Sequence, residues 1–162
     1  MTVPLYKYTL GFIECKETDT ILFLNREKPP HMGKWNGVGG KLEPGESSLE
    51  CIIRETKEET GLVIDNYISR GVLRWFNKEE DLGGVYLFTG SVSKEVCNNY
   101  KTQSTREGIL EFKKRQWVLH PQNVGVVDNI KMIYEEMEQA NEHNVFVAQY
   151  DGLTFLKGYK LK

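Results

Sequence analysis

The chain has 162 residues, 40% of them hydrophobic, which is enough for one well-buried core and short for two ordinary domains, so residues 1–162 read as a single domain. A net charge of −2 provides no global positive field for an extended nucleic acid or an anionic membrane, and a small anionic ligand would need local help. The odd, widely spaced Cys15, Cys51 and Cys97 argue for free thiols and against zinc; with no signal-like core after Met1 and no apolar span of about 20 residues, the expectation is a soluble, cytoplasmic protein.

In chain order, Tyr6–Cys15 and Ile21–Leu24 are rich in β-formers and flank the polar turn Lys16-Glu17-Thr18-Asp19, which predicts an opening hairpin. From Asn25 to Pro44 prolines and glycines predict a long irregular loop, ordered by Met32, Trp35 and Val38. Ser47 or Ser48 caps a helix that Gly61 stops after Thr60, with Leu49, Ile52, Ile53, Thr56 and Thr60 as its core stripe. Strands are expected at Leu62–Ile68, Gly71–Phe76 and Gly84–Ser93, with a weaker one at Gln116–Leu119. A second helix spans about Asp128 to Asn141, with Asp128 as a candidate cap. Asp151-Gly152 then suits the tight turn of a closing hairpin between Val145–Tyr150 and Leu153–Leu161.

The chemistry is concentrated in GKLEPGESSLECIIRETKEETGL, residues 40–62, where Glu55, Glu58 and Glu59 recur at i, i+3 and i+4. In a helix such positions lie roughly 5–6 Å apart at Cβ, and the bare carboxylates would repel one another. A divalent cation compensates that repulsion; hard oxygen ligands favour Mg²⁺, with Mn²⁺ as a substitute. A solvated face laced with Arg54 and Lys57 is the alternative reading of the cluster alone.

Gly40, Glu46 after five intervening residues, Arg54-Glu55 after seven more, then Glu58-Glu59 and Gly61-Leu62 match the Nudix box position for position, apart from Thr56 where a bulky apolar residue is usual. The chain therefore resembles the Nudix hydrolases. The resemblance implies an α/β fold, a Nudix-type α/β/α sandwich with a mixed β-sheet and a loop-helix-loop catalytic motif. It also implies Glu55, Glu58 and Glu59 as metal-binding carboxylates, the Gly39 carbonyl as a main-chain ligand, and one carboxylate as the base that deprotonates water. Gly40, Glu46, Arg54 and Gly61 take structural places, with Arg54 pairing with Glu46. Thr56 should weaken packing under the helix. Lys41 reads as a solvated charge, with phosphate contact as the alternative.

Upstream, Gly33-Lys34-Trp35-Asn36-Gly37-Val38-Gly39-Gly40-Lys41 resembles the MutT-like 8-oxo-dGTP diphosphatases, which implies a purine contact for Asn36. The same residue also suits a turn before Gly37. Thr9 in the first strand, Arg26 near phosphate, Glu107 as an extra ligand or base, and Asp128 as a reader of the oxopurine follow from looser likeness; a strand residue, a solvated arginine and a helix cap are the competing accounts of Thr9, Arg26 and Asp128. Trp35, Trp75, Phe76 and Trp117 are candidates for base stacking or for core packing, with Trp35, beside Asn36, the first choice for the pocket. The activity implied is Mg²⁺-dependent hydrolysis of a nucleoside triphosphate, such as 8-oxo-dGTP, to the monophosphate and pyrophosphate. ADP-ribose, a dinucleoside polyphosphate or an RNA 5′ end are alternative substrates. A nucleotide-sensing domain without turnover is the rival outside enzymes, and nothing in the pattern points to an oligomeric state.

Overall fold

A computed structural model describes residues 5–162. The elements in chain order are β1 (Tyr8–Cys15), β2 (Thr20–Arg26), β3 (Trp35–Asn36), α1 (Ser48–Thr60), β4 (Ile68–Asn77), β5 (Glu80–Ser91) and α2 (Lys94–Asn99). They are followed by β6 (Gln103–Ser104), β7 (Gly108–Lys114), α3 (Arg115–Val118), α4 (Asp128–Met137), β8 (Val145–Asp151) and β9 (Thr154–Lys160). Among the described residues the strands form one mixed sheet in the order β6-β7-β2-β1-β5-β4-β8-β9, with β3 paired to β2. β1–β5 and β4–β8 are parallel pairs, and the other pairs are antiparallel.

Strand alternation assigns the two faces. Phe12, Ile21 and Phe23 point into a core with Ile130, Ile133, Tyr134 and Met137 of α4, whereas Ile13, Leu22 and Leu24 point into a second core with Val38 and Ile64. Gly11 lies on the second face; a Cβ there would stand 2.8 Å from Ile52 of α1, so this strand glycine lets the helix sit close to the sheet. Helices therefore cover both faces, and the sandwich is α/β/α as expected. Both expected hairpins form, β1–β2 and β8–β9, the second with Gly152 at φ +63.

Four expectations differ. Leu62–Ile68 is not a strand before Ile68: Val63 is exposed, and Ile64 plugs the second core instead of pairing. Gln116–Leu119 is a helical turn, because Leu119 bonds back to the Arg115 carbonyl and Val118 alone is fully inserted into the core. α4 ends at Met137 and is preceded by Val127, so Asp128 is a first-turn residue and makes no side-chain cap. On α1 the buried stripe is Cys51, Ile52, Thr56 and Thr60, while Leu49 is 44% exposed and Ile53 half-buried. The stripe is rotated toward Cys51 because its Sγ packs under the preceding loop, 3.3 Å from the Thr9 hydroxyl.

Candidate active site

The helix that carries the carboxylates is fixed at both ends. Ser47 accepts from the Glu50 N–H at 3.1 Å while Glu50 accepts from the Ser47 N–H at 3.0 Å, a reciprocal capping box, and Gly61 closes the C-terminus at φ +80. Arg54 ties the helix to its leading loop, donating Nε to Glu46 Oε2 at 2.7 Å, an Nη to Glu46 Oε1 at 2.9 Å and to the Lys41 carbonyl at 3.1 Å. That fork holds the Glu46 carboxyl down at about 2, well below the usual range. The expected pairing is present, and Lys41 contributes its carbonyl to it while its residue surface is exposed.

The loop is stitched to β1 as well. Gly11 and Val38 exchange backbone hydrogen bonds of 2.6 and 2.9 Å, and the Thr9 N–H donates to the Gly40 carbonyl at 2.9 Å. A Cβ on Gly39, at φ +153, would fall 2.1 Å from the Thr9 carbonyl oxygen, so only glycine allows this approach. At Gly40 a Cβ would lie 2.4 Å from Cδ of Glu55: the carboxylate rests directly on the glycine. Thr56, the departure from the box, is fully buried, and its hydroxyl meets the Tyr67 hydroxyl at 2.7 Å. The expected packing defect is instead a hydrogen-bonded contact.

These elements surround a cavity of about 590 Å³, inside the size range of small-ligand sites. Gly39, Gly40, Glu55, Glu59, Glu107 and Arg26 line one part of it; Leu10, Leu24, Trp75 and Val85 give an apolar wall; Tyr8, Thr9, Pro30, His31, Asn36 and Gly37 complete it. Thr9 is buried, and its hydroxyl donates to the Gly40 carbonyl at 3.2 Å, a joint between strand and loop. The Asn36 Oδ1 accepts from the Gly37 N–H at 2.8 Å, which fixes the amide orientation and leaves Nδ2 as donor. Asn36 therefore shapes the turn before Gly37, and it lines the cavity. Arg26 gives its Nε to the Pro30 carbonyl at 2.7 Å.

Glu58, Trp35, Asp128, Phe76 and Trp117 are not among the lining residues. Glu58 is 57% exposed and pairs with Arg54 at 3.2 Å, because positions 54 and 58 form one i,i+4 row of the helix and 55 and 59 the next. Trp35 packs edge-on against Trp117 at 6.3 Å, with the Lys113 ammonium 4.8 and 4.6 Å from the two ring centres, so its indole belongs to the α4-side core. Asp128 is exposed at the start of α4. Conversely Trp75 and His31 do line the cavity. Trp75 had a weak signal as one aromatic of several, and His31 had none, since a histidine inside a Pro/Gly-rich loop has no periodicity to place it.

The carboxylate pair is electrostatically loaded. Burial first, and then the nearby Glu55 charge, push the Glu59 carboxyl up to about 8, against the pull of a hydrogen bond from the Gly39 N–H. Burial also raises Glu55, with Arg54 opposing. Glu59 Oε2 is buried without a hydrogen-bond partner. No group of three or more His, Cys, Asp or Glu side chains among the described residues forms a ready-made metal cage. A magnesium-type ion does not need one: it is held through one or two carboxylates and otherwise by water and phosphate oxygens. Two hard carboxylates on one helix row, one carrying a buried oxygen without a donor, fit such an ion.

A NUDIX domain model matches residues 6–137. The chain belongs to the NUDIX family. The uncharacterized Nudix hydrolase YvcI of Bacillus subtilis is 34% identical over 116 residues, covering 70% of this chain and 65% of that protein. The oxidized purine nucleoside triphosphate hydrolase of Danio rerio is 40% identical over 57 residues, 35% of this chain and 36% of that one. The chain thus spans less than two thirds of the length of either relative. The crystal structure of a MutT protein from Bacillus halodurans superposes with a TM-score of 0.69 at 25% identity, covering 94% of this chain and 95% of that one. A MutT protein from Methanosarcina mazei, at 20% identity and a TM-score of 0.61, shares the fold. NUDIX hydrolases generally use divalent cations, in keeping with the carboxylate row. No helix of the described NUDIX residues is long and apolar enough to cross a membrane.

Proposed function

We propose that this NUDIX protein is a hydrolase of diphosphate bonds in nucleotides, acting with Mg²⁺ on a nucleoside triphosphate to release the monophosphate and pyrophosphate. The observation that carries the reading is the Glu55–Glu59 row: two carboxylates set against Gly39 and Gly40 at one part of a nucleotide-sized cavity, one with a buried oxygen lacking a donor. Glu55 and Glu59 would hold the cation, with Glu58 contributing through Arg54; a divalent ion held there would neutralise phosphate-oxygen charge that otherwise repels an attacking water.

This chain's own residues supply the rest. Arg54 and Glu46 hold the loop so that Glu55 stays on Gly40, and Glu107 takes the proton of the attacking water at its carboxylate. Glu107 is assigned that step because it lines the cavity and its carboxylate makes no hydrogen bond or ion pair to another described side chain. Trp75 and Leu10 receive the base, and Asn36 Nδ2 donates to it. With Oδ1 engaged by Gly37, Asn36 offers the base a donor through Nδ2, which suits the O6 acceptor of a 6-oxopurine. This supports a guanine-type substrate, 8-oxo-dGTP among them, in line with the Danio rerio relative. One domain working in the cytoplasm is the matching cellular reading.

The test is a nucleotide panel with Mg²⁺, resolving pyrophosphate from orthophosphate and comparing kcat/KM. The expected result is pyrophosphate release with 8-oxo-dGTP or dGTP preferred over dATP. If ADP-ribose or a dinucleoside polyphosphate is the better substrate, the triphosphate assignment is wrong; if none is cleaved, the hydrolase assignment is wrong.

A further inference from the structure

The segment between β2 and β3 is built as a strap beside the cavity. Its ends are tied by Arg26 N–H to the Lys34 carbonyl at 3.0 Å and Gly33 N–H to the Arg26 carbonyl at 2.8 Å, and a turn inside it is closed by Lys34 N–H to the His31 carbonyl at 3.0 Å. Its middle is held by the Arg26 side chain, whose Nε donates to the Pro30 carbonyl at 2.7 Å. An arginine whose Nε is used in this way acts first on the strap. What the strap delivers to the cavity wall is Pro30 and His31.

His31 holds a backbone φ of +63, in the left-handed region where glycine is at ease and a residue with a side chain is not. Non-glycine residues kept in that region concentrate at ligand-contacting sites, where surrounding structure enforces them. Here the enforcement is the set of strap hydrogen bonds. The residue is open to solvent overall, as a cavity mouth requires, yet its imidazole is desolvated enough that burial lowers its pKa, with Arg26 adding to the effect and Asp128 opposing it. In its neutral form the ring offers one N–H donor and one acceptor.

We infer that His31 is a specificity-determining residue that contacts the nucleoside half of the substrate, with Arg26 as its positioning residue. The inference rests on the nucleotide-hydrolase reading for the identity of the ligand. The nucleoside half is assigned for two reasons. A cation held by Glu55 and Glu59 would draw the phosphates to that part of the cavity, and the strap runs directly into the strand that presents Asn36.

The experiment compares His31→Gly, His31→Asn and Arg26→Gln with wild type. Steady-state kinetics with dGTP and Mg²⁺ are combined with a direct titration of deoxyguanosine monophosphate, followed by tryptophan fluorescence and by calorimetry. Glycine removes the ring and relieves the backbone, so a folding failure is not the expected confounder. His31→Gly should raise Tm or leave it unchanged, raise KM and the monophosphate Kd by roughly 3- to 10-fold, the loss of one hydrogen bond, and keep kcat within about twofold. His31→Asn, which tolerates the same φ and keeps a donor and an acceptor, should recover part of the affinity. Arg26→Gln should weaken monophosphate binding in the same direction. Unchanged Kd and KM in His31→Gly overturn the inference, as does a fall in kcat with KM unchanged. If wild type turns over no nucleotide, the hydrolase reading fails, while the monophosphate titration still decides whether His31 contacts a nucleoside.

Discussion

Replacing Gly40 with alanine probes how the carboxylate row is placed. The new Cβ would stand 2.4 Å from Cδ of Glu55 and 2.6 and 2.7 Å from its two oxygens, whereas ordinary contact begins at 3.4 Å, so the carboxylate must retreat by at least 3.4 − 2.4 = 1.0 Å. Glu55 is the far end of a flexible side chain, 17% exposed, so it moves without unpacking the core. A misplacement of about 1 Å in a reacting constellation costs roughly 100-fold, about 2.7 kcal/mol of barrier. The assay is pyrophosphate release at saturating Mg²⁺ and nucleotide, alongside a thermal melt. Gly40→Ala should lose about 100-fold in kcat with Tm within a few degrees of wild type. Gly45→Ala supplies the contrast: nothing lies within 4 Å of its Cβ, but φ is +79, so it should cost about 1 kcal/mol of stability and leave turnover intact. Wild-type turnover in Gly40→Ala would refute the placement argument, and so would a collapse in Tm that accounts for the whole loss.

Arg54→Gln removes the fork on Glu46, whose side chain is 12% exposed, and should cost about 2 kcal/mol in a urea titration and open Lys41–Glu46 to proteolysis; Arg54→Lys should not rescue, since a point charge cannot bond both oxygens and the Lys41 carbonyl together. Thr56→Val, which restores the usual apolar residue of the box, should destabilise by about 1–2 kcal/mol by leaving the Tyr67 hydroxyl unpaired, and Tyr67→Phe in the same chain should recover most of it; a stabilised Thr56→Val would show that packing outweighs the bond. Glu14, buried at the end of β1 with the Tyr134 hydroxyl donating to it at 2.9 Å, is pushed up to about 7 by burial and by Glu138. Because its folded-state pKa lies above the ordinary 4.5, the folded chain binds the proton more tightly, and stability falls as pH rises from 4.5 through 7. Glu14→Gln should match wild type near pH 4 and exceed it by on the order of 2 kcal/mol at pH 8 in denaturant melts; a constant difference across that range would contradict the assignment.

Features written in short-range chemistry were legible in the sequence. Ser47 with Glu50, Gly61 and Asp151-Gly152 each specify a cap or turn by local hydrogen bonding or positive φ, and all are found where the pattern placed them. The elements misread were those decided by partners distant in sequence. Leu62–Ile68 has strand-forming residues but plugs a core with Ile64, and Gln116–Leu119 coils because Val118 is the one side chain of that segment the sheet fully accepts. Thr56 looked like a defect because Tyr67, eleven residues on, was not visible as its partner.

The site divides in the same way. Helical spacing located Glu55, Glu58 and Glu59 together, but only the i,i+4 rows separate Glu58, drawn to Arg54, from the two that face the cavity. Trp35 was favoured for standing next to Asn36, yet adjacent strand residues point to opposite faces, and Trp35 joins Trp117 and Lys113 while Asn36 lines the cavity. Trp75 reaches the cavity from β4, far from the box in sequence. His31 depends on the strap that Arg26 holds, an arrangement no local pattern announces.

The most direct test of the account is Glu59→Gln, an isosteric change that removes one ionisable ligand group from the carboxylate row. Gln cannot ionise, and the buried oxygen that raises the Glu59 carboxyl to about 8 no longer carries that penalty, so Tm should hold or rise. With dGTP or 8-oxo-dGTP and saturating Mg²⁺, kcat should fall by roughly 100-fold or more while Tm is kept. A Glu59→Gln protein that still releases pyrophosphate at near wild-type rate would contradict the assignment of this row as the centre of the chemistry.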